Sequence, residues 1–166
     1  MDKDQVDFIL EQWETEKPNL DTIGMSVIGR VSRASRHIDR HLQNNFAKFN
    51  LNRGEFDVLA TLRRSGSPYQ LTPTDLLQSL MLSSGAMTNR LDQLEKRGYI
   101  QRKSHPTDRR GVIVELTQDG YELIEEAVQA HIEYETHLVS SLNTNELDNL
   151  ANLLRKLLLS LDDKKA

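Results

Sequence analysis

The stretch LTPTDLLQSLMLSSGAMTNRLDQLEKRGYIQRKSHPTDRRGVIVEL, residues 71–116, decides the fold. Its first part is helical. Thr72 can cap, Pro73 suits a first helical position, and Asp75 stands where a capping-box acid belongs. Leu76, Leu77 and Leu80 then recur at helical spacing. After a break at Met81–Leu82, a second helix starts at Ser83 and runs to Arg97, with Ala86–Met87, Leu91 and Leu94 as its buried side. Gly98 stops it, a favoured residue just past a helix end. Two helices joined by a tight turn make a helix-turn-helix, whose second helix can enter a DNA major groove. Ser83, Ser84, Gly85, Thr88 and Asn89 are small or polar, so that helix end can approach phosphates, drawn by backbone N–H groups and the helix dipole. Thr88 and Asn89 can also meet base edges.

After Gly98 the period becomes alternating. Tyr99–Lys103 and Gly111–Leu116 flank the polar tip HPTDRR, residues 105–110, a hairpin too long-tipped for a two-residue turn. A hairpin directly after a recognition helix is a wing. Its basic tip, Arg109 and Arg110, suits the backbone or the minor groove, and Lys103 lies on the strand leading to it.

Working outward, residues 2–16 read as a short helix with Val6, Ile9, Leu10 and Trp13 on one side, ended by Pro18. Asp21 or Thr22 opens a long helix to about Phe46 with a narrow apolar stripe. Asn52 and Glu55 have capping-box spacing and open a helix to about Arg64, and Gln70–Leu71 can add a short strand beside the wing. Thr117 caps a helix over about 118–141. Asn143 and Glu146 open a last helix that is leucine-rich on more than one side and calls for more than one neighbour. The terminal helices are too long and too apolar for a small winged-helix core alone, so an intermolecular interface is expected.

Composition sets bounds. A chain of 166 residues with 37% hydrophobic and 28% charged residues is read as one domain. It has no apolar run of membrane-spanning length, its N-terminus is polar and acidic, and it has no cysteine. A cytoplasmic location follows as the expectation. The net charge of −4 conceals an uneven distribution, because residues 89–110 carry seven basic and three acidic side chains, a local +4. A positive patch on an acidic body favours phosphate contact through one face. No catalytic motif is visible. His37 and His41, four apart on a helix, lack a third ligand at metal spacing and read as solvated, so neither metal nor cofactor is expected.

The residues LEKRGYIQR (94–102), the wing-tip DRR (108–110) and VELTQDG (114–120) resemble the MarR family of winged-helix transcription regulators, whose D-x-R wing element Asp108 and Arg110 fill. With the flanking helices the resemblance covers nearly the whole chain. It implies a mainly α fold with a small β wing: a DNA-binding lobe over about 52–117, and helices over about 1–50 and 118–166 forming a dimerisation region. It also implies a homodimer reading a pseudo-palindromic operator, most simply as a repressor. The chain is further similar to the urate-responsive subgroup of that family. That likeness implies an effector site of Trp13, Asp57, Arg90 and Arg102. The chemistry is coherent: guanidinium donors for an anionic edge, a carboxylate for ring N–H groups, and an indole to stack. The same residues also read as a helix anchor, an ion pair and a phosphate contact. Rival readings are a regulator answering to a phenolic acid or to no ligand, and a winged helix that binds protein rather than DNA.

Overall fold

A computed structural model describes residues 2–80, 84–105, 107 and 111–162. Its elements are α1 (Gln5–Glu16), α2 (Ile23–Ala47), α3 (Arg53–Arg64), β1 (Gln70–Leu71), α4 (Pro73–Leu80), α5 (Ser84–Lys96), β2 (Ile100–Ser104), β3 (Val112–Leu116), α6 (Gln118–Leu138) and α7 (Thr144–Asp162). The sheet is antiparallel in the order β1-β3-β2, with Arg102 and Leu71 both opposite Val114. This is the mainly α architecture with a small wing that the resemblance implies.

α3 is the central post. It packs against α2, α4, α5, α6 and β3, and its Val58, Leu59 and Leu62 are completely enclosed. Leu76 of α4, Met87, Leu91 and Leu94 of α5, Val114 of β3 and Ile124 of α6 close around them. Each such side chain contributes about 1.5–3 kcal/mol by leaving water. Ala86 is only half-buried, so the inner face of α5 is Met87, Leu91 and Leu94.

The helix starts follow local chemistry. Asn52 accepts from the Glu55 N–H at 3.0 Å, and the Glu55 carboxylate accepts from the Asn52 N–H at 2.9 Å. Asn143 and Glu146 repeat that exchange at 3.1 and 2.8 Å, as do Thr72 and Asp75, each at 3.2 Å. At α2 the Asp21 carboxylate receives the Ile23 N–H at 3.0 Å, while Thr22 makes no side-chain cap. The end of α5 is a Schellman turn. Gly98 sits at φ +77°, its N–H donates to Glu95 O at 2.9 Å, and the Tyr99 N–H donates to Leu94 O at 3.0 Å. α6 ends at Leu138, three residues short of the expected Ser141.

The described residues cover little of the apolar surface of the terminal helices. Only Val6 of the apolar side of α1 is buried, and Ile9 and Trp13 stay exposed. No residue of α7 is fully buried, although Leu147, Leu154 and Leu157 are half-buried, so the described residues of this chain cover its leucines only in part. α1 is nevertheless fixed onto α2 at its start. Arg30 donates to Asp7 at 2.6 Å and to Asp4 at 2.9 Å, and Val6 packs over Gly29.

Candidate nucleic-acid interface and effector pocket

α4 and α5 pack on one another and on α3, with the hairpin β2–β3 following directly. The hydrophobic side of α5 is turned inward, which leaves Thr88 and Asn89 exposed on its outer face. Around Gly85 the outer surface is open enough that an added Cβ would meet nothing within 4 Å. Ser84 opens the helix. The expected contacts Ser83, Arg109 and Arg110, and the Ser84 side chain, lie outside the described residues.

Much of the positive charge of residues 89–110 is already engaged. Arg97 donates to Glu55 at 3.3 Å and to the Asn50 carbonyl at 2.7 Å. Arg102 is held by Asp92 at 2.6 Å and by Glu95 at 2.9 Å. Lys103 pairs with Glu115 across the hairpin, although it remains half exposed. The expected phosphate role of Lys103 therefore has a carboxylate competitor on the neighbouring strand. Exposed Lys96 is the described cation at the end of the recognition helix.

The four expected effector residues do not form one cluster. Asp57 and Arg90 come together, because α5 packs on α3. Asp57 is half-buried, and desolvation pushes its carboxyl above the ordinary range against the opposing pull of Arg53, Arg90 and His131. Arg90 turns inward, and its Nη1 is shut away from solvent with no partner among the described residues. Its guanidinium lies over Gly54, where a Cβ would stand 2.2 Å from Nε. Arg102 is engaged elsewhere. Residues of a helix step round by about 100°, so Asp92, its partner, is on the side of α5 away from Arg90. Trp13 lies on α1, whose packing partner is α2, and 38% of its surface is open. Reading the sequence missed Gly54 and the Glu55–Arg97 pair. Glu55 was legible as a cap, but nothing local signals a partner 42 residues away.

His131 carries a second enclosed nitrogen. Its ring stands 5.2 Å from Phe46 and 4.8 Å from Phe56, Nδ1 has no partner among the described residues, and Nε2 is 3.2 Å from Glu135. Among the described residues no group of three or more His, Cys, Asp or Glu is placed to hold a metal, and His41 instead meets the Tyr134 hydroxyl at 3.1 Å.

A helix-turn-helix with a polar outer face and a following wing defines a winged-helix DNA-binding protein. A model of the MarR family matches residues 51–112. The transcriptional regulator PecS of Dickeya dadantii is 42% identical over 150 residues, 90% of each chain. The chain belongs to the MarR family, and it is a DNA-binding transcription regulator rather than an enzyme. A mutant MarR from E. coli in complex with operator DNA has a TM-score of 0.72 at 28% identity, covering 84% of this chain and 99% of that one. BpsR of Bordetella bronchiseptica, a structure concerned with regulation of its DNA binding by 6-hydroxynicotinic acid, has a TM-score of 0.69 at 26% identity. That match covers 80% of this chain and 98% of that one. No described helix is long and apolar enough to cross a membrane.

Proposed function

We propose that the protein is a homodimeric repressor in the cytoplasm whose grip on a pseudo-palindromic operator loosens when a small aromatic anion such as urate binds between α3 and α5. The carrying observation is Arg90: a guanidinium on the recognition helix, turned into the protein, with an enclosed N–H that lacks an acceptor among the described residues, beside the half-buried carboxylate of Asp57. A cation with a spare donor attracts an anion, and a carboxylate beside it accepts from ring N–H groups. Trp13 supplies a stacking face once α1 moves over the pocket. Arg102 joins only by leaving Asp92 and Glu95, which makes it a switch between two sets of acceptors. BpsR, whose DNA binding responds to a small aromatic acid, supports this class of effector.

DNA recognition follows the outer face. Ser83, Ser84, Thr88 and Asn89 meet the major groove, while Lys103, Arg109 and Arg110 meet the backbone and the minor groove. The lobe over about 52–117 does this work, and the helices over about 1–50 and 118–166 join two copies. A two-fold dimer sets its recognition helices about 34–36 Å apart, one turn of DNA. Because Arg90 belongs to the reading helix, a ligand that prefers a shifted Arg90 lowers DNA affinity, and DNA weakens that ligand by the same factor.

Footprinting of the DNA beside the protein's own gene, with urate, xanthine, salicylate and 6-hydroxynicotinate titrated in, tests this. Release by urate, abolished in Arg90→Ala and weakened in Trp13→Phe, is the expected result. Release by salicylate but not urate points to a phenolic effector, and binding unmoved by all four sinks the effector reading. Absence of salt-sensitive binding to any palindromic duplex would sink the operator reading as well.

A further inference from the structure

The recognition helix is seated on the first turn of α3 at two points. At the end of α5, Arg97 is bound by Glu55 and by the Asn50 carbonyl. Seven residues earlier, Arg90 lies across Gly54. A Cβ at Gly54 would stand 2.2 Å from Arg90 Nε, 2.4 Å from Cζ and 2.7 Å from Nη2, distances that no real Cβ keeps. The backbone itself does not call for glycine there. Gly54 is buried inside a regular helix and does not have a positive φ, so alanine would ordinarily suit the position better. What glycine supplies at position 54 is room, and the group filling that room is the flexible tip of a side chain. The carboxylates nearby divide their tasks. Glu55 caps α3 and holds Arg97, while the charge of Arg90 acts on Asp57, two residues further on.

We propose that Gly54 is a positioning residue for Arg90: by withholding a Cβ it seats the guanidinium flat on α3, with one enclosed donor left for a bound anion. This rests on the effector reading above and names what sets the geometry of that site. A side chain at position 54 moves Arg90 out, leaving Asp57 and the ligand without their cation, while the core and the cap of α3 stay as they are. Residue 54 thereby determines whether the recognition helix can sense the pocket.

A thermal-unfolding cycle of wild type, Gly54→Ala, Arg90→Ala and the double variant, without DNA or ligand, tests the seat. In the Arg90→Ala background, Gly54→Ala raises the melting temperature, as glycine-to-alanine does in an unobstructed helix. In the wild-type background that rise disappears or reverses. Equal shifts in both backgrounds overturn the proposal, since coupled residues do not add. The second measurement is the urate concentration that half-releases operator DNA. Gly54→Ala raises it about tenfold or more once the variant's own urate-free operator affinity is allowed for, the loss of one charged contact. An unchanged half-release point in a variant with wild-type DNA affinity also overturns it. If wild-type protein ignores urate, the effector reading fails, and the unfolding cycle still decides the role of Gly54.

Discussion

Asp57 carries a charge that its surroundings disfavour. Burial on α3 raises its carboxyl above the ordinary value, and the nearby cations offset that only in part. The sign of the consequence is fixed by linkage. A carboxyl whose folded pKa is raised binds its proton more tightly in the folded state. Its favourable contribution is complete below the unfolded pKa and is lost as pH rises through the folded one. Asp57→Asn is therefore expected to raise the melting temperature at neutral pH, with the gain shrinking to nothing below the carboxylate range. Thermal scans of both proteins across pH 3–8, about the span over which a shifted carboxylate titrates, check this, and a gain that grows in acid would refute it. The same group shows how far residues alone can be read. The presence of an acid before the helix-turn-helix and of an arginine in the recognition helix was legible. That Arg90 points inward over Gly54 while Arg102 is held on another side of α5 was not, because both outcomes depend on which faces the packed helices present to each other.

At the scale of elements, the joint between recognition helix, wing and α6 is tightly closed by hydrogen bonds. Thr117 donates its hydroxyl to the Gly98 carbonyl at 2.6 Å and accepts from the Gly120 N–H at 3.0 Å, and its own N–H reaches Tyr99 O at 3.1 Å. A Cβ at Gly120 would stand 1.9 Å from that same Tyr99 oxygen. The obstacle here is backbone, in contrast with Gly54, so nothing flexible can yield. Gly120→Ala is expected to destabilise by about 2 kcal/mol, as overpacking does, and to weaken operator binding because the wing shifts against α5. Urea denaturation and a DNA titration of the variant measure both effects, and wild-type values in each would refute the reading. Helix caps were legible because they depend on residues three apart. The Schellman stop at Gly98 was legible from glycine alone. The close approach of Gly120 to Tyr99 was not, since a glycine near a helix start usually has a blander reason.

For the whole molecule, nearly all the exposed large apolar side chains among the described residues lie in the segments flanking the winged-helix lobe, with Val112 on β3 the exception. Ile23 is 69% exposed, Leu153 66%, Leu159 60% and Leu158 59%, a large amount of apolar surface left in water. A cleft of about 540 Å³ between α2 and α7 has an apolar floor of Val31, Ala34, Ile38, Leu42, Leu150 and Leu154 and a polar rim that includes Arg30, Asp39, Arg53 and Glu135. Burying such area against a second copy is the proposed solution, and it would bring two recognition helices onto one face of DNA. Replacing Leu153 and Leu158 with Asp should convert a dimer to monomers in sedimentation equilibrium. It should also reduce operator affinity at least a hundredfold, about the cost of losing bivalent attachment. A variant that remains dimeric with wild-type affinity would show that α7 lies outside the interface.

The sequence by itself determined the elements and their order. Helical and alternating periods, caps three residues apart, and the glycine at the end of α5 are all local, and local chemistry is written in neighbouring residues. It also determined the class, through a wing-tip and flanking runs that few other folds would carry together. Only the tertiary structure decided which charges are spent on one another, that Arg90 keeps an enclosed donor over Gly54, and that α7 leaves most of its leucines uncovered by the described residues of its own chain. Those outcomes depend on contacts between residues dozens of positions apart, and such contacts exist only once the helices have packed.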